Sequence, residues 1–541
     1  MFDHYLTILL LLPLVFAGAI AFVKPDENSR NIHQIGIAGS LVVLLYSALP
    51  WFYGSFSLYE FTPWLPSLGI NYVLGADGLS YTLVILTTFL FFMATMASLT
   101  SIAKRVKLYY SMLFILITAI MGVFLARDLF MFFLFYELEL IPMYFLIAIW
   151  GGPNRSYASV KFVLYTLFGS IFMLAAILGI YVMTAKMGVS AENLFLFDTV
   201  KANAQSISLG AQLLIFAGFF IGFSVKLPVV PVHTWLPDAH VEAPTPVSML
   251  LAGILLKMGA YGMLRFCFEF LPEAAHVAAP WIATLAVINI VYTAGIALVQ
   301  KDLKKLIAYS SVSHMGFVLL GLAALNPMGF NGAVFVMFAH GIVSAALFMC
   351  VGVVYNRTHT RMLADFGGLG KPMPAYFFFF LFMAMASLGL PFLISFASET
   401  MVFYGAYTSD VFQIVFANEL FGLPFVWNMQ VATAISAIGV ILGAAYLLWM
   451  IRRVFFGAMP ERWNGLKDLC ASEVFVLASL AALVVIYGLQ PTWITQRFEP
   501  WVTAMTTPYE AMAKQEKMIG QQSSEQGVPE QAIVMMAEEV K

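Results

Sequence analysis

Val225-Lys226-Leu227-Pro228-Val229-Val230-Pro231 is the stretch that decides how this chain folds. The residues before it, Leu209 to Ser224, are almost wholly apolar, and then a lysine and two prolines arrive together. Proline lacks an amide donor and clashes with the preceding turn, so a helix entering from Leu209 breaks here. A lysine deep in a bilayer costs roughly 2.5–3.5 kcal/mol on insertion scales. Irregular backbone beside a charge is tolerated at membrane depth only where it is buried in protein or lines a cavity. Such broken helices form the centres of many transporters.

Outward from that point the chain is lipid-like. Of 541 residues 61% are hydrophobic and 10% charged, against about 25% charged in an average soluble domain. Runs of the ~20 residues needed to cross a bilayer recur about fourteen times, centred near residues 14, 43, 89, 116, 138, 170, 217, 256, 289, 314, 342, 385, 442 and 481. They are too long for barrel strands, so the expected fold class is an all-α polytopic membrane protein. The first run, Tyr5 to Val23, lacks a basic leader and a small-residue cleavage site and reads as a retained span. The net charge of -2 gives no basis for a nucleic-acid partner. Cys267, Cys350 and Cys470 are far apart and form no CxxC, which gives no support to an iron–sulfur or zinc site. No glycine-rich nucleotide motif is present.

Sixteen lysines and arginines fall in the loops leading from odd to even spans, and four (Arg127, Lys186, Lys201, Arg265) in the others. By the positive-inside rule the first set faces the cytoplasm or stroma, of a bacterial inner membrane or a thylakoid, and both termini face the opposite side. A second break, Leu390-Pro391, interrupts span twelve. The breaks lie five spans apart, which predicts two inverted five-helix repeats. The expected division is residues 1–103 (spans one to three), 104–270 (first repeat), 275–456 (second repeat) and 457–541 (last span and polar tail). After Pro500 the tail reads as a flexible or partner-contacting extension with a short helix near Glu530 to Val540.

Ionisable residues inside these spans are the candidate site: Glu137, Glu139, Lys226, Lys257, His314, His340 and Glu399. Their summed insertion cost approaches the 5–15 kcal/mol stability of a domain, which points to a buried ion path. Lys257 is too deep to snorkel. Lys226 reads either as a relay or as a cap for carbonyls freed by the break. Glu137 and Glu139 lie about 200° apart on a helix, so one faces a given path and the other meets a neighbour. His314 and His340 read equally as proton carriers or as satisfied core histidines, and Lys161 as a snorkelling surface lysine. Lysine, glutamate and histidine together suit proton relay. Two unit charges about 7 Å apart at an effective dielectric of 20 interact by roughly 2.4 kcal/mol, enough to load or unload a lysine. His233, Asp238, His240 and Glu242 superficially suggest a metal site, but their spacing fits no standard ligand set.

Tyr136-Glu137-Leu138-Glu139-Leu140-Ile141-Pro142, Val225-Lys226-Leu227-Pro228, His233-Thr234-Trp235-Leu236-Pro237-Asp238-Ala239-His240, Leu251 to Gly259, and Leu303 to Gly316 together resemble the antiporter-like proton-pumping subunits of complex I, of the M type (chain 4). The likeness spans about residues 70 to 455. It implies about fourteen transmembrane helices with two inverted repeats, and a proton path along a central polar axis. It pairs Glu137 with Lys226, makes Lys257 the central relay, His314 and His340 the bridges, and Glu399 the terminal residue. It also implies no cofactor bound by this chain, with NAD(P)H or ferredoxin, iron–sulfur clusters and quinone in other subunits, and neighbouring membrane subunits and lipid as partners. A multi-subunit Na⁺/H⁺ antiporter and a non-conducting scaffold are the competing readings. One departure stands out. The family's Leu-Pro-Gly-x-x-Gly-Phe before the last glutamate here reads Leu390-Pro391-Phe392-Leu393-Ile394-Ser395-Phe396. That predicts a bulkier, drier break, and leans toward a specialised variant such as one serving carbon dioxide uptake.

Overall fold

Prolines and short polar side chains set where the helices of this chain begin and break. The computed structural model describes residues 4–23, 29–53, 57–420 and 423–525. The chain opens with α1 (Tyr5–Phe22) and α2 (Ser29–Tyr53), followed by a hairpin of β1 (Leu58–Leu65) and β2 (Ile70–Ala76). Then come α3 (Gly78–Ser101), α4 (Val106–Leu125), α5 (Leu129–Leu138), α6 (Leu140–Trp150), α7 (Arg155–Lys186) and the short α8 (Phe197–Ala204). The first broken span is α9 (Leu209–Lys226) and α10 (Trp235–Glu242). Span eight, Thr245–Glu269, contains α11 (Thr245–Leu250) and α12 (Leu256–Gly262), each followed by a π-helical stretch, Leu251–Leu255 and Met263–Glu269.

After it run α13 (Pro272–Leu298), α14 (Leu303–Ala323) and α15 (Pro327–Thr358). The second break separates α16 (Pro374–Ser387) from α17 (Ile394–Tyr407). A hairpin of β3 (Gln413–Leu420) and β4 (Leu423–Asn428) leads into α18 (Met429–Phe455), α19 (Ala471–Leu489) and α20 (Thr492–Glu525). Thirteen helices among the described residues are long and apolar enough to cross a membrane, α5 and α6 counting as one. The remaining expected span, the twelfth, is the pair of short helices α16 and α17. The protein is mostly helical, as the sequence predicts, and its two hairpins lie in connections. Span eight and α15 are buried along their whole apolar windows, so the polar residues they carry sit at the centre of the bundle.

At the first break the freed backbone groups find named partners, as buried amides and carbonyls must. Asn289 of α13 accepts from the Val230 amide (2.7 Å) and donates to the Pro228 carbonyl (3.2 Å). The Trp235 indole donates to the Val225 carbonyl at 2.8 Å. Gly259 packs α12 against this turn so closely that a Cβ would lie 2.6 Å from the Leu227 nitrogen.

The second break is a type II turn. Leu393 donates to the Leu390 carbonyl at 3.2 Å, Pro391 holds the second position and Phe392 the third, at φ 70°. That third position favours glycine, and an L-residue there costs about 1–2 kcal/mol. The added bulk points away from the core, with Phe392 73% exposed. Ser395, which replaces the second glycine, is buried and lines a cavity with Ser398 and Glu399.

The tail corrects a sequence expectation. Instead of a flexible extension after Pro500, α20 continues through Pro500 and Pro508 to Glu525. Its buried residues Ile494, Phe498, Val502, Met505 and Tyr509 recur at helical spacing, and the Tyr509 hydroxyl donates to the Phe268 carbonyl at 2.7 Å. The helix expected near Glu530 to Val540 lies outside the described residues.

The strained turn makes a prediction. Phe392→Gly raises the thermal midpoint of the purified assembly, by relief of about 1 kcal/mol, and Phe392→Val lowers it because β-branched residues fit positive φ worst. A thermal melt of both variants checks the order, and a lower midpoint for glycine than for valine contradicts it.

A buried lysine, histidine and glutamate axis

Pro142 shapes the first part of the axis. Its ring denies a hydrogen bond to the turn before it, and the helix is interrupted at Glu139, between α5 and α6. The Glu139 carboxylate forms an ion pair with the Lys226 ammonium of α9, 0% and 1% exposed respectively. The ammonium also lies 4.0 Å from the centroid of the Tyr136 ring, a cation–π contact. Glu137 instead takes a hydrogen bond from the Ser170 hydroxyl of α7. The two glutamates do have different neighbours, as their angular separation requires. Glu139 is thus the direct contact of Lys226, and Glu137 lies within electrostatic reach of the same ammonium.

Lys257 lies between the two π-helical stretches, wholly buried. Its ammonium donates to the Ala252 carbonyl at 2.6 Å, five residues back, and meets His340 Nδ1 at 2.6 Å. π-bulges inside α-helices mark functional sites often, and here the wider turn holds a carbonyl against the lysine. From His340 of α15 the rings step to His314 of α14, centroids 5.7 Å apart. His314 Nδ1 lies 3.2 Å from Glu399 Oε1, and its Nε2 lies 3.3 Å from the Ser387 hydroxyl. A cavity between them is lined by Ser310, Ser344, Ser387, Ser395 and Ser398. Lys257, His340, His314 and Glu399 therefore form one string of adjacent proton-bearing groups. Lys226 and Glu139 form a second cluster, and no hydrogen bond among the described side chains joins Lys226 to Lys257.

The suspected metal quartet has separate partners. Asp238 pairs with Lys161 at 2.7 Å, so Lys161 is held in an ion pair and does more than snorkel. Glu242 accepts from the Asn154 amide at 2.9 Å. His240 stacks on Phe348, centroids 4.4 Å apart. Among the described residues no set of three or more histidines, cysteines and carboxylates converges as metal ligands do.

Sequence reasoning missed a network at one end of the bundle. Asp77, the N-cap of α3, pairs with Arg127 at 2.8 Å and with Arg265. Arg265 also reaches Glu269 at 2.9 Å, and Glu269 reaches Lys201 at 2.8 Å. Arg265, taken as a loop residue in the charge census, is 1% exposed inside span eight, its guanidinium 4.7 Å from the Trp501 ring of α20. Burial pushes the Asp77 carboxyl up, but Arg127 and Arg265 outweigh it and hold it well below the usual carboxylate range. Asp77 therefore contributes stability above the ordinary aspartate titration near pH 4, lost only as pH falls through its lower folded value.

Comparison with known proteins places this arrangement. Residues 126–423 match a family model described as the transmembrane region of NADH:quinone oxidoreductase and Mrp antiporters. The fold and its axis thus define an antiporter-like membrane subunit. Residues 5–127 match the amino terminus of NADH-ubiquinone oxidoreductase chain 4. An NAD(P)H-quinone oxidoreductase chain 4 of Trichormus variabilis is 42% identical over 92% of this chain and 90% of its own. NADH-quinone oxidoreductase subunit M of Rhodobacter capsulatus is 40% identical over 94% and 98%. This chain belongs to the chain 4, or M-type, family of NAD(P)H-quinone oxidoreductase membrane subunits. A chain of respiratory complex I from Thermus thermophilus superimposes with a TM-score of 0.81 at 27% identity, covering 93% of this chain and 99% of that one. The Mrp complex of a Dietzia species shares the fold, with a TM-score of 0.78 at 24% identity over 93% of this chain and 51% of that one.

Two predictions follow from these contacts. Lys226→Ala leaves Glu139 as an unpaired buried charge and costs about 3–5 kcal/mol, seen as a loss of assembled complex on a native gel. Lys226→Met with Glu139→Gln restores assembly, whereas Lys226→Met with Glu137→Gln does not. At the other end, Asp77→Asn exposes α20 to limited proteolysis at neutral pH, while the wild type resists cleavage down to about pH 4.

Proposed function

We propose that the buried axis of this chain carries protons across the bilayer, as the chain 4-type membrane subunit of an NAD(P)H-quinone oxidoreductase. The observation that carries the reading is the string Lys257, His340, His314 and Glu399, each group within reach of the next in the centre of the bundle. Lys257 is the central relay, since its ammonium shares a contact with a histidine nitrogen and meets no carboxylate directly. His340 and His314 pass the proton on, and Glu399 receives it at the serine-lined cavity. Lys226 with Glu139 is the gate, and Glu137, held on Ser170, is an auxiliary carboxylate beside it. At an effective dielectric of 20 a pair at 4 Å is worth about 4 kcal/mol and at 7 Å roughly 2.4 kcal/mol. Small movements of α6 against α9 therefore change how firmly Lys226 keeps its proton.

Electron transfer takes place in other subunits, where NAD(P)H or ferredoxin, iron–sulfur clusters and quinone belong, and this chain binds none of them. The two five-helix units, α4 to span eight and α13 to α18, are inverted repeats. Several matched features support that relation. Each unit has one broken span, a 32-residue third helix (α7 and α15) and a second helix (α5 and α14) capped by an aspartate. The basic loops face the cytoplasm or stroma. The intact turn at Leu390 to Leu393 gives no reason to set the chain apart as a carbon dioxide-uptake variant. The antiporter reading shares the fold and the family model of residues 126–423, while the chain 4 match of residues 5–127 and the relatives at 40–42% identity favour the oxidoreductase.

Lys257→Met tests the relay. In assembled complex it lowers proton uptake per quinone reduced several-fold, read with a pH-sensitive dye in native membrane vesicles. Unchanged pumping in fully assembled complex makes the axis structural and supports the scaffold reading.

A further inference from the structure

Outside the axis, one groove on the bundle surface combines three charges with no ionic partner and an apolar track. It opens where α3 ends, α4 begins, α6 ends and α7 begins, and encloses about 610 Å³. Lys104, Arg105 and Arg155 line it, all exposed, and none forms an ion pair with a described carboxylate. No carboxylate is among the lining residues. Some other cations at helix ends do find acidic partners, as Arg357 finds Glu473 at 2.6 Å and Arg361 finds Asp302 at 3.4 Å. The Arg155 guanidinium meets only the Ile149 and Gly151 carbonyls, at 3.3 and 3.4 Å, and so keeps donors for an anion.

The floor of the groove is apolar and continues along the exposed face of α6. Ala148 and Ile149 line it, and Ile141 and Phe145, 57% and 41% exposed, lie on the same face of α6 at helical spacing. From Ile149 to Ile141 that track runs about 12 Å along the helix, the reach of much of an acyl chain. Trp150 closes the polar end, its indole fixed on the Lys104 carbonyl at 2.7 Å. Tryptophan at this depth marks the membrane–water interface.

We propose that this groove binds an anionic glycerolipid, with its headgroup phosphate on Lys104, Arg105 and Arg155 and an acyl chain along Ile149, Phe145 and Ile141. A basic pocket between helix ends beside an apolar face suits a charged lipid better than a free anion, which has no use for the track. Each lysine or arginine near an anionic surface strengthens attraction about fivefold. The site is separate from the proton axis and holds whether or not that axis conducts.

The test uses the assembled complex, delipidated in detergent and titrated with phosphatidylglycerol or with phosphatidylcholine of the same acyl chains, bound lipid being counted by native mass spectrometry. The wild type retains phosphatidylglycerol at least tenfold better, and Lys104→Gln/Arg105→Gln/Arg155→Gln abolishes the preference. Arg105→Lys/Arg155→Lys keeps it, and 10 mM inorganic phosphate does not compete. If the triple variant fails to assemble, Arg155→Gln alone is read in the same way and shows a several-fold loss. Equal retention of the two lipids overturns the proposal, as does full displacement by inorganic phosphate. It is also overturned if the triple variant sheds a neighbouring subunit on a native gel while keeping its phosphatidylglycerol, which makes the groove a protein interface.

Discussion

The rest of the structure is arranged around the cost of holding the Lys226 ammonium in the interior of a lipid-embedded bundle. Water cannot solvate it, and an unpaired charge there is too expensive to keep. The protein therefore brings Glu139 to it, beside the helix interruption at Glu139, the end of α9 at Lys226 and the close approach of Gly259 to Leu227. Each of these spends regular helix geometry, and each loss is made good locally. Asn289 and Trp235 satisfy the backbone at the break, and the Tyr136 ring covers the ammonium.

The same logic holds further along the bundle with different parts. Lys257 has no carboxylate in contact, so its surroundings are built from a π-helical carbonyl and a histidine nitrogen. That is a weaker hold than an ion pair, which suits the relay role proposed for Lys257. At the far end Glu399 is met by His314 and a lining of serines, groups that both donate and accept. The charged network at Asp77 is of another kind. Its arginines keep their charge at any physiological pH, and it ties α3, span eight and α20 together.

Much of this was legible in the sequence. Hydrophobic runs gave the spans, because lipid permits little besides helix, and Lys226-Leu227-Pro228 and Leu390-Pro391 gave both breaks. Lys257, His314, His340 and Glu399 stood out as polar residues in apolar runs, and the structure brings all four together. What was lost was direction around a helix. Helical spacing separated Glu137 from Glu139 but could not say which of the two touches Lys226. Arg265 passed for a loop residue since its partners, Asp77 and Glu269, lie far away or one turn on. The stripe from Ile494 to Tyr509 was readable, but two prolines and a polar composition concealed it. Phe392 could not have been placed from sequence alone, because only the backbone shows that the turn keeps its positive φ without its glycine.

The central claim is that the Glu139–Lys226 pair changes its bonding as protons move. Infrared difference spectroscopy on the assembled complex, triggered by electron donor, reads carboxylate bands during turnover. The account predicts a turnover-dependent carboxylate band that vanishes in Glu139→Gln and persists in Glu137→Gln. A band that survives Glu139→Gln and disappears in Glu137→Gln would contradict it, and would return the gate to the other glutamate.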